Sequence, residues 1–310
     1  MSHEITRILA AASTRVWAID PAKGAEIAHM LALRATHQPR AWDGEGATQA
    51  AAPIAQSFEA RRGTVHVLQL HGTVFPRANM MTEMSGGATL ERFGAAFDEA
   101  ARDEDAAAIV LDIDSPGGVV TMVQETAAKI FAARRADRPI IAVANHMAAS
   151  AAYWLASAAD QIVTPASGDV GSIGVYTMHD DLTGALEQAG VARSMIFEGP
   201  RKVEGHPYGP LEEDARRALQ DSVAETYAAF TSDVARFRGV AASVVRADPV
   251  TSEAHYGGGR VYSGKRALRL GMIDRVATMD EVLADLAQGR RMPRRGARRA
   301  ALRRRRMALI

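Results

Sequence analysis

"AAAIVLDIDSPGGVVTMVQETAAKIFAARRADRPIIAVAN", residues 106–145, decides the fold. It opens on an apolar strand, "AAAIVLDI", and breaks at "DSPGG", where proline and paired glycines mark a turn. The apolar positions of "VVTMVQETAAKIFAARRAD" then recur at helical spacing, and "RPIIAVAN" is a second buried strand. A strand, a turn, a helix and another strand form a unit whose two strands lie parallel.

The same alternation extends in both directions. Upstream, "GTVHVLQLHGTVF" (63–75) is β-branched and alternating, which suggests paired strands. The helix-like "TLERFGAAFDEAARDED" (89–105) follows it. Downstream come "QIVTPAS", "GSIGVYT", the helix "DLTGALEQAG" and the strand "RSMIFEG" (193–199). A long amphipathic helix spans 210–239, opening on Pro210 and acids and closing at Gly239, as helix ends prefer. "GRVYSGKRALRLGMIDRVATMDEVLADLAQ" (259–288) completes the domain. Strands alternating with helices imply an α/β fold with a mostly parallel sheet. Three regions are expected: 1–58, helical and then a linker ("QPRAWDGEGATQAAAPIAQ"); 59–286, the main domain; and 287–310, an arginine-rich disordered tail.

The 310 residues carry 47% hydrophobic and 24% charged side chains, an ordinary globular composition. There is no cysteine, which excludes disulfides, thiolate nucleophiles and cysteine-bound zinc. The net charge of +1 hides an asymmetry. Ten arginines and no acid lie between Arg290 and Arg306, leaving 27 basic against 36 acidic side chains on the body. Such a tail suits an acidic scaffold, a capsid lining or nucleic acid as partner. The first residues lack a basic head with an unbroken apolar run, so a cytoplasmic location without a membrane span is expected. Residues 140–159 are almost uncharged, but they read as a strand followed by a buried helix.

Two stretches carry chemistry. In "DIDSPGGVV", glycines after a buried strand let backbone N–H groups face a pocket, where they could hold a developing oxyanion; the plain alternative is a tight turn. In "MAASAAYWLASAAD" (147–160), Ser150 falls where a strand gives way to a helix, either as a nucleophile among small residues or as a helix cap. Its flanking alanines differ from the G-x-S-x-G elbow, which disfavours an α/β-hydrolase. A nucleophilic serine needs a base, and His146 and Lys202 are the candidates. A lysine accepts a proton only when neutral, so its surroundings must supply roughly 4–5 kcal/mol to bring a pKa near 10.4 towards 7. "GRVYSGKR" nearly matches a phosphate-binding loop, but Arg266 stands where the Ser/Thr is required. The nine histidines show no metal-ligand spacing.

Together "DSPGG", "ASAAYWLASAAD", "GSIGV", "GPRKVEGHPYGPLEED" and "VYSGKRALRLGMID" resemble peptidase family S49, the signal peptide peptidase A group of the ClpP/crotonase superfamily. They occur in the family's order from about residue 64 to 276. The resemblance implies a ClpP/crotonase-like spiral of β-β-α units. It implies Ser150 as nucleophile and Lys202, 52 residues later, as general base. Gly118 and Ala151 are the implied oxyanion donors, Ser172 the residue orienting the lysine, and Gly117 and Val119 substrate-binding positions. Many relatives have Ser-Gly-Gly where this chain has Ser150-Ala151-Ala152, and a backbone with φ > 0 at an alanine would be strained. "RKVEGHPYGPLEEDARRALQ" points within the family to phage and prophage head maturation proteases. The expectation is therefore a Ser/Lys endopeptidase with a protein or peptide substrate and no cofactor or metal, assembled as a homo-oligomeric ring in the cytoplasm or in phage proheads. The alternatives are an inactive capsid-assembly protein of the same fold and a crotonase-like acyl-CoA enzyme.

Overall fold

A computed structural model describes residues 16–20, 24, 54–78, 82 and 87–290. These group into two compact units. One is built from Ala18–Asp20, most of 54–174, and 229–290; the other contains Trp17 and Val175–Ala228.

In the first unit, strands β1 (Trp17–Ile19, its first residue assigned to the other unit), β2 (Ala55–Ala60), β3 (Gly63–His71), β4 (Val74–Phe75) and β5 (Ala88–Thr89) precede helix α1 (Leu90–Arg102). Then come β6 (Ala106–Ser115), β7 (Gly117–Val119), α2 (Val123–Ala132), β8 (Ile140–Ala149), α3 (Ala151–Ser157), β9 (Gln161–Thr164) and β10 (Asp169–Gly171). The second unit holds α4 (Thr183–Gln188) and the first part of α5 (Glu213–Arg238). The chain returns to the first unit for the rest of α5, then α6 (Ala242–Arg246), β11 (Val261–Ser263), α7 (Gly264–Leu270), β12 (Arg275–Val276) and α8 (Met279–Ala287).

The large sheet runs β11-β10-β8-β6-β3-β2, with β9 on the first half of β8 and β12 on β9. All of its pairings are parallel except the edge pairs β2–β3 and β10–β11. A strand with neighbours on both sides and layers on both faces must be apolar throughout, and β6 is buried at eight of its ten positions. One face packs Val65, Ala108, Val110, Ile141, Val143 and Val163 against Val282 and Leu286 of α8. Thr278 starts α8 with a capping box: its hydroxyl accepts from Glu281 N–H at 3.2 Å, and Glu281 Oε2 accepts from Thr278 N–H at 2.8 Å. Helix α1 buries Leu90, Phe93, Phe97 and Ala100, a single stripe at helical spacing.

A smaller sheet, β1-β7-β4-β5, takes β4 and β7, the short strands that follow β3 and β6, together with β1 and β5. Thus β3-β4-α1 and β6-β7-α2 are successive β-β-α units, the architecture expected above. The paired strands read in 63–75 are both strands, but they part at Gly72. β3 joins the large sheet beside β6, while Val74 of β4 pairs with Gly118 of β7. Residues 140–159 divide, as expected, into strand β8 and the fully buried helix α3.

Two expectations differ. In the part of 1–58 read as helical, Trp17–Ile19 is a strand, and Ala55–Ala60, at the end of the expected linker and the start of the main domain, is another; of the rest of 1–58 only residues 16, 20, 24 and 54 are described. "RSMIFEG" is not a strand, and among the described residues no segment pairs with it. Beyond residue 290 the tail lies outside the described residues. No described helix is long and apolar enough to cross a membrane.

Candidate active site

The strand β8 ends at Ala149 and α3 begins at Ala151, so a single residue, Ser150, must turn the chain. It does so at φ 55°, ψ −119°, a conformation that side chains rarely adopt. Three contacts hold it there. Its N–H donates to Gly171 O at 2.7 Å, its carbonyl accepts from Trp154 N–H at 3.0 Å, and its Oγ donates to Gly174 O at 3.3 Å. The first follows from register: β10 runs parallel to the end of β8, pairing Gly171 with Ala149.

Helix α3 is itself anchored. Tyr153 Oη donates to Met272 O at 2.8 Å, and Trp154 Nε1 donates to Asp233 Oδ2 at 3.1 Å. The Trp154 ring also lies flat on Phe230, with centroids 4.6 Å apart. These anchors come from the C-terminal part of α5 and the turn after α7. Behind them the fully buried Arg238 meets Asp274 at 2.8 Å. Sequence reading did not find them, because a tryptophan in an apolar helix gives no sign of which distant carboxylate it will meet.

The "DSPGG" turn reaches the same place. Gly117 has φ 97°, and a Cβ there would stand 2.3 Å from Ala18 O and 2.9 Å from Ser150 Cβ. A Cβ on Gly118 would stand 2.0 Å from Val74 O. Only glycine lets β7 slide between β1 and β4 and come against the serine. Val119 is buried on the same strand. The alternative of a plain tight turn accounts for neither close approach. The contribution of Ala18 was also missed, since "WAID" read as part of a helical region.

Ser172 follows Gly171 directly, with φ 54°, 3% exposure, and its N–H donating to Arg260 O at 2.8 Å. Ser150, Ala151, Gly117, Gly118, Val119 and Ser172 therefore belong to one unit, and the strands bring them together. Ala151 and Ala152 are buried helical residues that are not among the positive-φ positions. The strain expected of alanine in place of glycine is absent, because within Ser150-Ala151-Ala152 it is Ser150 that carries the positive φ.

The two candidate bases differ in setting. His146 is exposed, and its Nδ1 lies 3.1 Å from Asp114 Oδ1; Ser150 Oγ has its contact with Gly174 instead. Lys202 belongs to the second unit, in the turn-rich stretch after Gly199, whose carbonyl accepts its N–H at 3.0 Å. Arg201 beside it fixes that stretch by pairing with Glu204 and, at 2.9 Å, with Asp214 of α5. "GRVYSGKR" is structural: Ser263 precedes α7, and a Cβ on Gly264 would meet Pro165 O at 2.5 Å.

Comparison with known proteins agrees with this geometry. Capsid assembly protease C of Escherichia phage lambda is 33% identical over 229 residues, covering 74% of this chain and 50% of that protein. The head-tail preconnector protein of Enterobacteria phage P21 is 28% identical over 223 residues, 72% of this chain and 42% of that one. A putative signal peptide peptidase of Enterococcus faecium is 26% identical over 184 residues, 59% of this chain and 51% of its own. The chain spans about half the length of these relatives. The sequence profile of peptidase family S49 matches residues 132–292, more than half of the chain and the part that carries Ser150, Ser172 and Lys202, and on that match the chain belongs to peptidase family S49.

Proposed function

We propose that this chain is a serine endopeptidase working through a Ser150/Lys202 dyad. Ser150 Oγ attacks the peptide carbonyl while the neutral Lys202 amine takes its proton. The ammonium then returns that proton to the leaving amine, and water resolves the acyl-enzyme. The N–H groups of Gly118 and Ala151 receive the oxyanion. Ala151 suits this role because the first amides of a helix have no intrahelical acceptor. Ser172 orients the lysine amine, and the backbone of Gly117 and Val119 receives the substrate chain. No cofactor enters these steps.

The observation that carries this reading is the backbone of Ser150. A buried serine held at positive φ, with a glycine strand against its Cβ, is strained in a way that a helix cap does not require. The relatives named for capsid assembly and head-tail connection support a protein substrate in head maturation, and hence a place in the cytoplasm or the prohead. With these go a peptidase domain over 59–286, a homo-oligomeric ring, and an arginine-rich tail that binds an acidic scaffold, capsid lining or nucleic acid. Labelling with a serine-directed fluorophosphonate tests the proposal. Wild type should label, and Ser150→Ala should not. A wild type that never labels would mark an assembly protein that keeps the fold without the chemistry.

A further inference from the structure

A peptidase must bring a polypeptide to its nucleophile, yet Ser150 is fully buried, and Gly117, Gly118 and Ala151 around it are buried too. Part of the cover is a segment from the start of the chain. The small sheet runs β1-β7-β4-β5, so β7 has β4 on one side and β1 on the other. On the β1 side Asp20 N–H donates to Pro116 O at 2.8 Å. Ala18 O lies 2.3 Å from the place a Cβ on Gly117 would take, and that place is 2.9 Å from Ser150 Cβ. The Ala18 carbonyl and the serine thus abut the same spot, where Gly117 has no side chain. Ala18 is fully buried, and Ile19 nearly so.

A polypeptide received by the backbone of β7 adds to it as a strand. One edge of β7 is closed to it, because Val74 of β4 pairs with Gly118 there. The remaining edge is the one that β1 holds. Substrate and β1 therefore require the same row of N–H and C=O groups.

We propose that Ala18–Asp20 occupies the substrate's strand position on β7, so that the chain is its own competitive inhibitor and an incoming polypeptide displaces it strand for strand. The proposal rests on the reading of Gly117 and Val119 as substrate-binding backbone. The occupant is short, three residues at the end of the small sheet. It is anchored at one end, where Trp17, assigned to the other unit, exchanges both backbone hydrogen bonds with Tyr176 of that unit, at 2.8 and 3.0 Å. An attached strand competes at an effective concentration on the order of millimolar, so a free polypeptide at micromolar concentration meets a filled site.

Two variants loosen the strand and leave β7 and Ser150 untouched. Ile19→Asp sets a charge at a buried position, and Asp20→Pro removes the N–H that Pro116 O accepts while keeping the buried side chains. In a Ser150→Ala background, which cannot cut, a fluorescein-labelled peptide of residues 13–23 is titrated against the full chain by anisotropy. The loosened chains should bind it about tenfold or more tightly than Ser150→Ala alone. With Ser150 intact, fluorophosphonate should label both variants about tenfold or more faster than wild type, although each melts lower. A strand that only braces the fold requires the reverse, labelling that slows as the melting temperature falls. Peptide binding no tighter in either loosened chain, or a wild type that labels as fast as both variants, would overturn the proposal. Tighter peptide binding with no labelling of any chain would support the occupied strand site and refute the nucleophile, so the two readings fail separately.

Discussion

Gly117→Ala adds one methyl group where the structure has no room. Its φ of 97° suits glycine, and an L-residue held there costs about 1–2 kcal/mol. The new Cβ would meet Ala18 O at 2.3 Å, Ser150 Cβ at 2.9 Å and Ala149 O at 3.0 Å. Two of these are backbone atoms of strands and cannot rotate away. Restoring ordinary contact requires a shift of about 1 Å, and overpacking of that kind costs about 1–3 kcal/mol more. The expected loss is about 2–5 kcal/mol, from a total stability on the order of 5–15 kcal/mol. The kinetic effect should be larger in proportion, since a displacement of about 1 Å at reacting groups can slow a reaction about 100-fold. A thermal melt and the second-order rate of fluorophosphonate labelling measure the two effects separately. Ala151→Gly is the control: its backbone is helical, so it should lose about 1 kcal/mol of stability and gain no rate. A Gly117→Ala protein that melts and labels like wild type would refute the close packing of β7 on Ser150.

Ser150→Ala and Lys202→Ala should each abolish peptide cleavage with little change in melting temperature, and the double variant should be no worse than either, because the two groups act as a unit. Wild-type cleavage should accelerate with rising pH, since in the proposed dyad the neutral amine is the base; a rate that climbs from pH 7 to 5 contradicts the dyad. His71 Nε2 donates to Asp112 Oδ2 at 3.1 Å, and this bond, partly opposed by burial, raises the His71 pKa above its ordinary value of 6.5. The stability it adds should be complete below about pH 6.5 and disappear as pH rises through the raised value, so the melting-temperature gap between wild type and His71→Gln should narrow from pH 5.5 to pH 9. Truncation after Gln288 should spare cleavage of a short peptide while weakening low-salt binding to an acidic partner. Loss of peptide cleavage as well would place the tail within the folded domain.

What the sequence made legible was local. The apolar run of β6, the "DSPGG" break and the stripe of α1 each follow from residues within a few positions, and those elements formed where they were read. Contacts between distant segments were not legible. "GTVHVLQLHGTVF" shows two strands, but nothing in it says that Gly72 sends them to different sheets. "RSMIFEG" has strand composition, yet a strand also needs a neighbour, and composition does not supply one. At the site the glycines marked a close approach but not what approaches: Ala18 and Ser150 Cβ lie 99 and 33 positions from Gly117. The strained φ was expected at Ala151 or Ala152 by analogy with Ser-Gly-Gly, and the backbone places it one residue earlier.

The conformation of Ser150 also bears on how such a protein changes over many generations. A side chain at φ 55°, ψ −119° opposes the fold at that position, by about 1–3 kcal/mol. Glycine accepts the same angles without that opposition, so Ser150→Gly should melt higher than wild type even as it ends acylation. Once selection for cleavage lapses, drift at this codon is therefore downhill in free energy, and the strands and helices remain intact behind it. Recovering the hydroxyl means climbing back. Silent copies of this architecture, kept for assembly rather than for cutting, should for that reason be easier to reach than to leave.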